Sequence, residues 1–126
     1  MAAQSIDLEE QRQEATESLR ILTQREIDSG SKAASGEAVQ KVWETLQLFQ
    51  ESSFYTVKNL EFHYYIKGNE MFVDRKEKTI TKASVAKAYG TLISLKREDG
   101  EISGPKKLNC FGASYLYPVF QKIGLL

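Results

Sequence analysis

The sequence predicts an α+β protein in which a small antiparallel β-hairpin sheet packs against three helices, preceded by an N-terminal helical appendage. Residues 60–76 have the alternation and turn of a hairpin, and residues 36–51 and 82–98 have apolar residues at helical spacing. A hairpin between helices is typical of the α+β class. Winged-helix domains contain similar elements in another order, so the likeness to them is an analogy only.

The first segment, residues 5–27, is predicted to be an amphipathic helix that begins at Ser5. Its apolar stripe is narrow, since only Ala15, Leu19 and Leu22 recur at helical spacing. We expect such a helix to dock loosely, to pair with a partner, or to fray.

A flexible linker is expected next, because residues 29–36 read SGSKAASG. The predicted organisation is therefore an N-terminal helix over 1–28, a linker over 29–36 and a small α+β domain over 37–126. The helix predicted over 36–51 has a broad apolar face, and we expect Trp43 to anchor it in the core.

The hairpin has a predicted register as well as a predicted turn. Gly68-Asn69 suits a two-residue turn, which pairs Lys67 with Glu70, Tyr65 with Phe72 and His63 with Asp74. The same register pairs Glu61 with Lys76. Residues 54–57 (FYTV) are expected to add a short third strand.

The helix predicted over 82–98 begins at Thr81, its expected N-cap. One side of this helix has only small residues: Ala83, Ala86, Gly90 and Ser94. They are expected either to pack closely against the C-terminal helix or to line a groove for a partner.

The formal net charge of zero hides an uneven distribution of charged residues. Residues 1–74 carry a balance of −6, and residues 75–126 carry +6. Either the two halves attract each other within the fold, or the second half presents a basic surface to an acidic partner.

The second reading gives a candidate nucleic-acid site at the start of the helix over 82–98. Free N–H groups at a helix start, together with hydroxyl and cationic side chains, commonly hold phosphate. The alternative is a capped, solvated helix start. The candidate residues are Arg75, Lys76, Lys78, Thr79, Thr81, Lys82, Lys87, Lys106 and Lys107.

Two of these lysines precede a group of aromatic residues. Lys106 and Lys107 stand before Phe111, Tyr115 and Tyr117, which could stack on the bases of a strand or fill the core.

Catalytic and metal chemistry are not predicted. The chain has one His and one Cys, which excludes a zinc cluster, and it lacks the glycine-rich nucleotide-binding motifs. A His63–Asp74 pair could orient a general base, but cross-strand pairing explains it and spacing assigns it no nucleophile. We therefore predict a non-enzyme without cofactor or metal.

The expected location is cytoplasmic. The single Cys110 permits no internal disulfide, and there is no apolar run of the length of a signal peptide or a membrane span.

Residues 36–126 resemble short uncharacterised proteins of integrative and conjugative mobile elements of gut Firmicutes. The stretches GNEMFV, RKEKTITKASVAKAYG and GPKKLNCFGASYLYPVFQKIGLL carry this resemblance. It implies an accessory protein of a mobile element, for which DNA-binding and protein-interaction roles are both common. The first prediction is a DNA-binding accessory protein. The second is a protein-interaction module in which residues 5–27 meet a partner or a second copy.

Overall fold

The structure, a computed structural model, describes residues 2–31, 33–75, 77–98 and 100–126, with the side chains of the first helix from residue 7 on. It confirms the α+β class. In chain order the elements are α1 (Ala2–Ser29), α2 (Gly36–Leu48), β1 (Phe54–Tyr55), β2 (Glu61–Phe62), β3 (Tyr64–Lys67), β4 (Glu70–Val73), β5 (Ile80–Thr81), α3 (Lys82–Arg97), a 3₁₀ turn (Pro105–Leu108) and α4 (Ala113–Lys122).

The hairpin has the predicted register. Strands β3 and β4 are antiparallel, with Lys67 opposite Glu70 and Tyr65 opposite Phe72, and Gly68 in the turn has φ +63°. Strand β5 pairs with the other edge of β4, while β1 pairs with β2. Side chains alternate between buried and outer positions from Glu61 to Tyr65, so β2 and β3 act as one interrupted strand. The third strand predicted over 54–57 is shorter, because β1 ends at Tyr55.

The core lies between the inner face of these strands and the helices. Burial of these apolar side chains is the main favourable term in folding. Trp43 is buried as predicted, and its indole N–H donates to the carbonyl of Gly68 at 3.3 Å, which ties α2 to the hairpin turn. The sheet contributes the buried side chains of Phe62, Tyr64, Met71, Val73 and Ile80.

Helix α1 is docked on α2 and α3. Leu19 is fully buried in the common core, and the hydroxyls of Thr23 and Tyr89 are hydrogen-bonded at 3.0 Å. The Arg97 side chain donates to the last carbonyls of α1, including that of Ile27 at 2.9 Å, as cations at helix C-termini commonly do. Of the three alternatives left open for this segment, the contacts favour docking.

The predicted helix start at Ser5 is wrong, because α1 begins at Ala2 and Ser5 lies within it. The segment between α1 and α2 is partly held: Ser35 donates its backbone N–H to Glu26 at 2.7 Å and caps α2 through the N–H of Ala38. The division into 1–28, 29–36 and 37–126 stays a prediction. None of the helices in the described ranges has the length and apolar character required to cross a bilayer.

Candidate functional site

The start of α3 is capped by its own residues. Thr81 is the N-cap as predicted, and its Oγ1 accepts from the backbone N–H of Ser84 at 3.1 Å. The N–H of Lys82 donates to the carbonyl of Asn69 at 2.9 Å. Two of the N–H groups that were expected to hold a phosphate are therefore used within the fold.

Two further candidate side chains also have partners inside the chain. The hydroxyl of Thr79 donates to a carboxylate oxygen of Glu70 at 2.7 Å, and the ammonium of Lys82 donates to the side chain of Gln40. Thr79, Thr81 and Lys82 thus have structural roles. Lys76 lies outside the described residues.

The remaining candidates form what we call the basic end: Arg75, Lys78, Lys87, Lys106 and Lys107, all exposed. Within the described ranges, none of these five makes an ion pair. Nor does any ion pair of those ranges join the acidic first half of the chain to the basic second half. Attraction between the two halves through ion pairs therefore does not account for the charge distribution there.

The loop after the 3₁₀ turn lies beside the first half of α3. A Cβ on Gly112 would come within 2.5 Å of Ile80 Cδ1, so this loop touches the strand that leads into α3. Burial raises the pKa of the Cys110 thiol, and the charge of Lys87 opposes that shift, which sets Lys87 near the same loop. The lysines of the 3₁₀ turn, which packs on α3, are thus close to that helix.

Acidic residues of the second half are mostly remote from the basic end. Glu98 and Glu101 follow the C-terminal end of α3, whereas Lys78 and Arg75 precede its start. Glu77 directly precedes Lys78 in the sequence. Lys96 and Arg97 lie in the last turn of α3, so both signs of charge are present at that end of the helix.

The small side of α3 does not pack against α4, contrary to one of the two expectations. Ala83 and Ser94 are exposed, and a Cβ on Gly90 would meet nothing within 4 Å. This side lines an open groove of about 540 Å³ whose opposite wall includes Ala34 and Val39.

The aromatic residues near the 3₁₀ turn belong mainly to the core. Tyr117 is buried, and Tyr115 packs edge-on against Phe62 with 5.0 Å between ring centroids. Phe111 has an exposed fraction of 46%. Base stacking on all three rings is therefore not available.

The outer face of the strands carries a second group of polar and aromatic side chains. Tyr65 and Phe72 stack with centroids 4.9 Å apart, and Tyr65 is 52% exposed. A groove of about 470 Å³ lies beside them and is also lined by His63 and Asp74.

His63 is hydrogen-bonded on both sides of its ring. Its Nδ1 lies 3.1 Å from Asp74 Oδ2, and its Nε2 lies 3.0 Å from the Ser53 hydroxyl oxygen. The pKa of Asp74 is lowered, first because its carboxylate accepts the backbone N–H of His63, and also through the His63 ring and the charge of Arg75. The His63–Asp74 pair was predicted from the register.

Ser53 was missed in the sequence. It stands before the two-residue strand β1, whose pairing with β2 sets Ser53 beside His63. A signal was available, since counting back from the pairing of Phe54 with Phe62 places Ser53 opposite His63. That pairing has no turn motif to fix it from the sequence.

Within the described ranges, no group of three or more His, Cys, Asp or Glu side chains could hold a metal ion. Comparison with protein-family models, curated proteins and solved structures finds no match to this chain. The resemblance to mobile-element proteins stays a prediction.

Proposed function

We propose that the protein binds DNA through phosphate contacts made by the basic end. The observation that carries the proposal is that the five exposed cationic side chains of the basic end form no ion pair within the described residues. Cations that the fold leaves unpaired are available to neutralise phosphates and to release their counterions.

The contact set of this proposal is narrower than the one predicted from the sequence. Thr79, Thr81 and Lys82 are engaged within the fold, so the binding energy would come from Arg75, Lys78, Lys87, Lys106 and Lys107. Such contacts carry no base information and support binding with little sequence preference. A role in a mobile element remains an expectation from the resemblance.

The test is fluorescence anisotropy of a labelled mixed-sequence duplex with the full chain, at about 50 mM and about 200 mM salt. We expect binding that weakens steeply with salt. The double variant Lys78→Ala/Lys107→Ala should bind more weakly on every duplex and lower the salt slope by about 2, because two phosphate contacts are lost.

A matched double variant removes the same charge elsewhere. Lys58 lies in the turn between β1 and β2 and Lys122 at the end of α4, and both are exposed. Lys58→Ala/Lys122→Ala should bind like the unaltered chain. Equal weakening in both double variants, or no binding at low salt, would count against the proposal.

A protein-interaction role for the start of α1 is the second candidate. The Arg12 side chain of α1 donates to the carbonyl of Leu48 at 2.8 Å. Before Arg12, Asp7, Leu8 and Glu9 are exposed. An exposed acidic segment of this kind could meet a basic surface, including the basic end of a second copy. Salt-sensitive dimerisation in sedimentation velocity, lost on deleting residues 2–10, would support it.

A further inference from the structure

Residues that flank neighbouring strands bring a hydroxyl, an imidazole and a carboxylate into one row on the outer face: Ser53 precedes β1, His63 lies between β2 and β3, and Asp74 follows β4. We propose that Ser53, His63 and Asp74 form a nucleophile, a general base and a positioning carboxylate that hydrolyse small carboxylic esters. The inference uses none of the residues of the basic end and does not depend on DNA binding. It departs from the prediction of a non-enzyme.

The distances suit proton transfer from the serine to the histidine. Ser53 Oγ lies 3.0 Å from His63 Nε2, and Asp74 Oδ2 lies 3.1 Å from His63 Nδ1. Nucleophile and base within hydrogen-bond reach, with a third group orienting the base, is the arrangement that activates a serine hydroxyl. A proton on Nδ1, donated to Asp74, leaves the Nε2 lone pair facing the hydroxyl.

The Asp74 carboxylate is fixed by two hydrogen bonds to His63. Its Oδ1 accepts the backbone N–H of His63 at 2.9 Å while its Oδ2 faces the ring. The two strands thus hold the carboxylate and the imidazole in one relative orientation. A positioned base of this kind contributes typically on the order of 100-fold to a rate.

Glu61 is the second carboxylate at the row. Its Oε2 accepts from the Ser53 hydroxyl at 3.0 Å and lies 3.6 Å from His63 Nε2. Glu61 therefore competes for the serine proton at rest. During attack it faces the imidazolium that forms, which its negative charge stabilises.

Ser53 and His63 each line a groove. Ser53 lines a groove of about 400 Å³ together with Phe49, Arg12 and Lys122, while His63 lines the groove beside Tyr65. An ester bound across Ser53 could place an apolar group beside the ring of Phe49 or that of Tyr65.

The reaction balances with water as the co-reactant. Ser53 Oγ forms a bond to the carbonyl carbon as its proton moves to Nε2, and the ester C–O bond breaks as that proton leaves with the alcohol. Water then attacks the acyl group, giving a proton through His63 back to Ser53 Oγ and releasing the carboxylic acid.

The test combines covalent labelling with turnover on the full chain. Diisopropyl fluorophosphate forms a serine phosphate ester with loss of HF, and peptide mass spectrometry locates it. We expect one adduct, on Ser53, and a burst of p-nitrophenol from p-nitrophenyl acetate. Ser53→Ala should abolish both, and His63→Gln should slow labelling on the order of 100-fold. Asp74→Asn should also slow it, because the amide favours the wrong ring tautomer.

Ser52→Ala is the matched control, because Ser52 is the neighbouring serine and lines the same groove. It should label at the unaltered rate. Circular dichroism of each variant checks that it is folded. Absence of an adduct, labelling of several serines at similar rates, or unchanged labelling in folded His63→Gln would overturn the proposal. Ester turnover that survives Ser53→Ala but not His63→Gln would also overturn it, since the imidazole alone would then be reacting.

Discussion

On the outer face, the ring and backbone of His63 bind the side chains of Ser53, which precedes β1, and Asp74, which follows β4. The pairing of His63 with Asp74 could be predicted because a Gly-Asn turn fixes the register of the hairpin. Its contact with Ser53 could not, since β1 has two residues and no pattern long enough to define a register.

The Asp74 carboxylate should make stability depend on pH in the acid range. Its pKa is lowered in the folded state, so its contribution is present above the unfolded pKa of about 3.9 and is lost as the pH falls through the lower folded value. Asp74→Asn should therefore destabilise the protein at pH 7 and much less near pH 2. Urea unfolding at both pH values measures this, and an equal difference at both would contradict it.

The elements show which surfaces the patterns identify and which they do not. Periodicity predicted that one side of α3 faces the core and that another has only small residues. The predicted core side is Val85, Tyr89, Leu92 and Leu95, of which Leu95 is only half-buried, and the small side is Ala83, Ala86, Gly90 and Ser94. Periodicity could not say that only the first side is buried. Likewise, the narrow stripe of α1 did not reveal that Leu19 is fully buried or that Arg97 closes the end of that helix.

Leu19 should be important for stability because it joins α1 to the core. Leu19→Ala should lower the free energy of unfolding by about 2–5 kcal/mol, the range for removing buried aliphatic groups. Ile21, two positions along and 50% exposed, is the matched control, and Ile21→Ala should change it by less than about 0.5 kcal/mol. Chemical denaturation measures both. If Leu19→Ala and Ile21→Ala changed the free energy of unfolding by similarly small amounts, α1 would not be docked as described.

Gly90 should be replaceable with a gain in stability. A Cβ there meets nothing within 4 Å and the residue lies in a helix, so Gly90→Ala should stabilise the protein by about 0.5–1 kcal/mol. Gly112→Ala is the opposing control, because its φ of +79° and the nearby Ile80 side chain make a Cβ unfavourable. Thermal unfolding compares the two. Destabilisation by Gly90→Ala would show that the small side is packed.

At the scale of the whole molecule, the class and the central hairpin could be predicted because local patterns determine them. Which charged side chains remain available for a partner could not be predicted, since this depends on which of them the fold engages in hydrogen bonds or ion pairs. In the sequence, nothing distinguished Thr79, Thr81 and Lys82 from the other candidate phosphate-binding residues. In the structure, these three residues are hydrogen-bonded within the chain. The five cations of the basic end remain exposed and form no ion pair within the described residues.

DNA binding by the basic end is tested most directly by NMR chemical-shift mapping of the full chain titrated with a mixed-sequence duplex. Amide shifts should concentrate in residues 75–87 and 105–112 at about 50 mM salt and shrink at about 200 mM salt, because phosphate contacts release counterions. Absence of shifts at the lower salt, or shifts centred on α1 or on the outer face around His63, would contradict the account.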